Sequence, residues 1–149
     1  MPDEEESKFF SLTEAERLRL QVEPMLIQAM ESQRKLGEVD GQLASLAERI
    51  QRSGGLLVSY EKAAGMRLEH NHLQETVQEN IDRIHATGCI VKDLDIGLLD
   101  FPSRLNNEDV YLCWRLGEDR IRFYHRQDEG FSGRKPIDPR DSGYSSPIQ

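Results

Sequence analysis

A chain of 149 residues is long enough to bury one hydrophobic core unaided, but with 37% hydrophobic and 31% charged residues it carries more surface than core. An elongated shape is expected. The formal charge of −8, from 27 acidic and 19 basic residues, disfavours nucleic acid as a partner. No apolar run approaches the roughly 18 residues of a membrane span, and no charged-then-apolar leader follows Met1, so a cytoplasmic protein with no membrane contact is expected.

In chain order, residues 1–8 are acidic and lack apolar side chains beyond Met1, and are expected to be a disordered tail. The fold opens at Ser11-Leu12-Thr13-Glu14, where the Ser11 hydroxyl can accept from the Glu14 N–H while the Glu14 carboxylate reaches back. From there Ala15, Leu18, Val22, Met25, Ala29, Ser32, Leu36, Val39, Leu43, Leu46 and Ile50 recur by 3 and 4 without a slip. This is one side of a long helix, about 60 Å if unbroken to Arg52. Pro24 removes one backbone bond, and Gly37 with Gly41 cost roughly 1 kcal/mol each against alanine, so a break near Gly37 to Gly41 stays open. Ser53-Gly54-Gly55 reads as the cap and turn. A second helix carries Ala63, Met66, His70, Leu73, Val77, Ile81 and Ile84 until Gly88 stops the pattern, and the two seams satisfy each other as an antiparallel hairpin over 11–88.

After Gly88 the period changes from 3.6 to 2. Cys89 to Asp93 and Leu98 to Phe101 flank a turn in which Gly97 supplies positive φ. Val110 to Leu116 and Ile121 to His125 form a second β-hairpin around Gly117-Glu118-Asp119-Arg120, with Pro102 to Asn107 as the link. If Leu116 faces Ile121, then Val110, Leu112 and Trp114 share a face with Phe123 and His125, opposite Tyr111, Cys113, Arg115, Arg122 and Tyr124. Trp114 and Phe123 are then a cross-strand aromatic pair. The fold class is α+β: a long antiparallel helical hairpin followed by a small antiparallel sheet of two β-hairpins over 89–126. A Gly/Arg loop over 127–137 completes a single domain of residues 9–137, and 138–149 form a second disordered tail.

Several of these stretches resemble one family. Lys92-Asp93-Leu94, Gly97 to Pro102, Val110 to Arg115 with Gly117-Glu118, Tyr124-His125 and Gly130 to Pro136 are similar to the bacterial domain of unknown function 2203. The resemblance runs from about Phe10 to Ile137 and is strongest over Gly88 to Ile137. It implies a small bacterial cytoplasmic protein, and the family carries no assigned activity, so no catalytic residue is carried over.

Four polar groupings have residue types that could carry chemistry. Lys92, Asp93, Asp95 and Asp100 could pair carboxylates for acid/base work, but turns commonly begin with Asp, and Lys92 facing Asp100 across the ladder is an ordinary ion pair. Cys113, His125, Asp128 and Glu129 include the donor types of a transition-metal site, yet the assumed register sends Cys113 and His125 to opposite faces, so no metal is expected. Without a Cys-x-x-Cys spacing, Cys89 and Cys113 read as reduced core thiols. His70 and His72 diverge on their helix, and His70, on the seam, reads as a partly buried histidine with one hydrogen-bond partner.

The loop from Asp128 to Pro136 is the strongest ligand signal. Gly130 and Gly133 let N–H groups converge, Ser132 adds a hydroxyl, and Arg134 and Lys135 add charge, a combination that suits a phosphate or carboxylate. The alternative is a tight turn pinned by Phe131, with Arg134 bonded to Asp128 or a carbonyl. Two functional readings follow. The first is a non-enzymatic interaction module, associating as a homodimer through the hairpin, since Leu20, Leu26, Ile27 and Met30 lie off the seam without an assigned partner. The second is a site for a small anionic ligand or substrate at the sheet end, with Ser132, Gly133, Arg134 and Lys135 holding the anion and His125 or Asp100 transferring a proton. No cofactor is implied by either.

Overall fold

The computed structural model describes residues 9–53, 60–137 and 144–145. The N-terminal tail and the Gly54-Gly55 part of the expected turn lie outside the described residues. Helix α1 spans Leu12–Arg52 and helix α2 spans Tyr60–Ala86. The capping box forms, with Ser11 Oγ accepting from Glu14 N at 3.1 Å and Glu14 Oε1 accepting from Ser11 N at 2.9 Å. Pro24, Gly37 and Gly41 all lie inside an unbroken α1. Their local cost is outweighed by packing, because every seam position named from Ala15 to Ile50 and from Ala63 to Ile84 is buried or half-buried. The hairpin is antiparallel: His70 Nε2 meets Asp40 Oδ1 at 2.9 Å, and Lys62 and Met66 lie across a groove from Leu46 and Arg49.

The sheet is antiparallel throughout, with β1 (Ile90–Asp93), β2 (Leu98–Leu105), β3 (Glu108–Arg115), β4 (Phe123–Arg126) and β5 (Lys135–Pro136) side by side in that order. A two-residue β6 (Tyr144–Ser145) pairs with Arg104 and Leu105 of β2. The class is the expected α+β, but four details differ from the sequence reading. Pro102 to Asn107 is not a link: β2 continues through Pro102 and turns at Asn106-Asn107, whose φ values of 52° and 69° asparagine tolerates better than most residues. Pro102 fits a strand here because its backbone faces the edge away from β3, where its carbonyl accepts from Phe10 N at 2.7 Å and no N–H is needed. The Gly/Arg loop, after one 3-10 turn at Phe131–Gly133, supplies the fifth strand. Tyr144 and Ser145 of the expected disordered tail are the sixth; its other residues lie outside the described ones.

The helices cover one face of the sheet. Leu99, Phe101, Leu112 and Trp114 pack with Phe10, Val22, Leu26, Ile84 and Cys89, and Met30 borders that core. Of the four positions lacking a seam partner, Leu26 and Met30 are therefore taken by the sheet, while Leu20 and Ile27 stay exposed.

The fourth difference is register. Cys113 faces Phe123 and Tyr111 faces His125, one residue away from the pairing in which Leu116 faces Ile121. The expected Trp114–Phe123 pair is not made; Trp114 instead lies beneath the Arg19 guanidinium, 5.3 Å from its ring centre, and donates from Nε1 to the Glu118 carbonyl at 3.0 Å. The cause lies in α1. Glu16 Oε1 accepts from the Ile121 N–H at 3.1 Å, and Arg19, itself bonded to Glu16 and Glu23, donates to the Asp119 carbonyl at 3.3 Å. Ile121 is thus buried by being drawn onto the helix, outside the strand ladder. Glu16→Ala leaves the buried Ile121 N–H unpaired and removes one partner of Arg19, and is expected to cost about 2–3 kcal/mol in urea denaturation. Glu16→Gln, which keeps an acceptor oxygen, should recover part of the loss.

Candidate functional site

The face of β2, β3 and β4 turned away from the helices holds the concentrated polar chemistry. One rung across the strands reads Asp100, Cys113, Phe123, and the next reads Pro102, Tyr111, His125. Asp100, Cys113 and His125 therefore project together, and all three are buried. Their carboxylate oxygen, sulfur and ring nitrogen lie within 4.8 Å of one another. The ground on which a metal was discounted, Cys113 and His125 on opposite faces, does not hold in the observed register.

His125 Nε2 lies 3.0 Å from Asp100 Oδ1, and its Nδ1 lies 2.9 Å from the Arg126 carbonyl oxygen. A carbonyl only accepts, so Nδ1 carries a hydrogen and Nε2 is directed at Asp100. One proton is held between the two side chains. Burial raises the Asp100 pKa, opposed by the adjacent imidazole and by a hydrogen bond from the Cys113 thiol. Burial, then the Asp100 charge, pushes the Cys113 thiol up to about 12. Cys89 is raised as well, by burial first, so neither cysteine is an activated nucleophile at neutral pH. The Tyr111 ring covers His125, with centroids 5.4 Å apart.

Lys92 does not face Asp100. Asp100 is opposite Ile90, and Lys92 is the extra residue of a bulge between Val91 and Asp93, which leaves His125 as the partner of the buried carboxylate. Asp93 and Asp95 belong to the turn, where Asp93 Oδ1 accepts from Asp95 N at 3.0 Å.

The family described as Uncharacterized conserved protein (DUF2203) matches residues 8–137, which take in both helices and strands β1 to β5. The chain belongs to that family. No curated protein and no solved structure matches it.

In this DUF2203 chain the other sequence-named group, Ser132 to Lys135, bonds to other partners than the buried three, although the Arg134 charge acts on the Cys113 thiol. Arg134 Nη2 donates to both oxygens of Glu118, at 2.9 and 2.8 Å, and its guanidinium lies between the rings of Phe123 and Phe131, 4.0 and 4.6 Å from their centres. Its partner is thus Glu118 of the preceding loop and neither Asp128 nor a carbonyl; its Nε is buried without a partner. Lys135 Nζ donates to Glu129 at 2.6 and 2.7 Å. Ser132 is exposed. The DUF2203 structure therefore brings Asp100 and His125 together and adds Cys113, which the sequence reading set aside; Arg134 bonds to none of the three. The signal that could have found Cys113 is the Leu112-Cys113-Trp114 alternation read with Tyr124, not Phe123, on the core face. It is weak, because phenylalanine is the more apolar of the two. No helix among the described residues is long and apolar enough to cross a membrane.

Proposed function

We propose that this protein is a non-enzymatic interaction module whose long hairpin associates with a second copy of the chain through the outer side of α1. The observation that carries the reading is a stripe of Leu20, Pro24 and Ile27 at helical spacing, with Leu20 64% and Ile27 37% exposed, along a groove that also includes Glu23, Gln28 and Glu31. Exposed Arg17 and Glu31 flank it seven residues on either side of Pro24, and neither has an ion pair among the described residues. A two-fold axis beside Pro24 sets Leu20 of one copy against Ile27 of the other and Arg17 against Glu31, so one patch is complementary to itself in shape, hydropathy and charge.

Sedimentation equilibrium at micromolar concentration tests this reading. The parent chain is expected to dimerise, Arg17→Glu to weaken the dimer at least about tenfold through like-charge contact, and Arg17→Glu combined with Glu31→Arg to restore it. A monomer throughout, or a dimer indifferent to the charge swaps, overturns it. The second reading, a phosphate or carboxylate site at Ser132, Gly133, Arg134 and Lys135, has support from the buried Asp100–His125 pair as a proton carrier. It has less weight because Glu118 and Glu129 already occupy both cations and an anion would have to displace them.

A further inference from the structure

We propose that Asp100, Cys113 and His125 form a binding site for one borderline-soft divalent transition-metal ion, zinc foremost. The three donors come from three adjacent strands, so the sheet ladder, and not a mobile loop, sets their spacing. Imidazole nitrogen, thiolate sulfur and carboxylate oxygen are the zinc donor types. Their largest separation of 4.8 Å exceeds the edge of a zinc tetrahedron, roughly 3.5 Å from bonds near 2.0 to 2.3 Å, by an amount side-chain rotation can close. The outer contact is also of the kind metal sites use: the Arg126 carbonyl holds the Nδ1 hydrogen of His125 and leaves Nε2 aimed at the other two donors.

Charge balance selects the valence. Without metal the group contains a neutral thiol and an Asp100–His125 pair sharing one proton, a set of zero net charge. Binding forms bonds from the ion to Cys113 sulfur, Asp100 oxygen and His125 Nε2, and releases two protons, one from the thiol and one from the pair. The product is again neutral, since a dication offsets one thiolate and one carboxylate; a monovalent or trivalent ion would leave net charge in a buried site. Three protein donors leave the fourth position of a tetrahedron to water or an added ligand.

Cobalt(II) titration of the full chain tests the site. The expected result is one tightly bound ion per chain, with the near-ultraviolet thiolate-to-cobalt charge-transfer band and visible bands of tetrahedral cobalt. Cys113→Ser should abolish the charge-transfer band while Cys89→Ser keeps it, and His125→Gln should weaken binding severalfold or more. Helical circular dichroism of each variant confirms folding. Should the Cys113 variant fail to fold, elemental analysis of the parent after exhaustive dialysis against zinc-containing, then metal-free, buffer decides: about one zinc per chain supports the site and none overturns it. Absence of the thiolate band in the parent, its persistence in folded Cys113→Ser, or its loss on Cys89→Ser instead would also overturn the proposal. Binding by the helix histidines His70, His72 or His85 gives no thiolate band and so counts against it.

Discussion

Trp114→Ala is expected to destabilise the protein by about 3–5 kcal/mol, a large part of the stability of an ordinary domain. Trp114 is 1% exposed and lies at the centre of the core between the sheet and α1. Its removal empties the largest fully buried side chain, takes the donor away from the Glu118 carbonyl, and uncovers the Arg19 guanidinium that ties α1 to the 119–121 loop. Loss of volume accounts for most of the effect; the orphaned carbonyl adds about 1 kcal/mol. The check is equilibrium urea denaturation against the parent. Trp114→Phe, which keeps a ring but no N–H, should cost roughly half as much; equal losses for the two would mean that the hydrogen bond, not the packing, dominates.

Gly97→Ala is expected to cost about 2–5 kcal/mol, from two sources that add. Gly97 has φ +69°, a conformation in which a Cβ costs roughly 1–2 kcal/mol. A Cβ there would also lie 2.8 Å from Leu116 Cβ and 3.0 Å from Met30 Sδ. The Met30 side chain can swing away, but Leu116 cannot, because its N–H donates to the Gly97 carbonyl at 2.9 Å and locks the two backbones together. Gly117 serves as the control. It has φ +107° but open space around it, so Gly117→Ala should show the backbone cost alone. Thermal melts of the two variants separate strain from crowding, and a Gly117→Ala loss as large as that of Gly97→Ala would refute the crowding component.

Both variants bear on the same junction, where α1 meets the β3–β4 loop, and that junction is where sequence reasoning reached its limit. The helices were legible because recurrence by 3 and 4 is a property of near neighbours: the capping box at Ser11, the seam from Ala15 to Ile50 and the break at Gly88 all stand as read. The first β-turn was legible for the same reason, Gly97 taking the positive φ that the turn demands. Asn106-Asn107 was not, because Pro102 to Asn107 reads as a link, and only the contact with Phe10, some ninety residues earlier, shows why proline is tolerated in the strand.

The buried polar group was half legible. Asp100 and His125 are both named by the sequence, and their side chains meet at 3.0 Å; Cys113 falls outside that pair through a one-residue error in register, which turns a strand over. Apolar matching of Leu116 with Ile121 points to the other register, but Ile121 lies outside the β3–β4 ladder, with its N–H held by Glu16 of α1. The Gly/Arg loop was legible in composition only, since nothing local indicates that Arg134 and Lys135 are taken up by Glu118 and Glu129.

The sequence by itself therefore determined two amphipathic helices, an antiparallel sheet and the α+β class, because periodicity and turn chemistry act over a few residues. Tertiary structure decided which side chains share a face across β3 and β4, because that choice hangs on a hydrogen bond from Ile121 to Glu16, 105 positions away, whose energy no window of neighbouring residues contains.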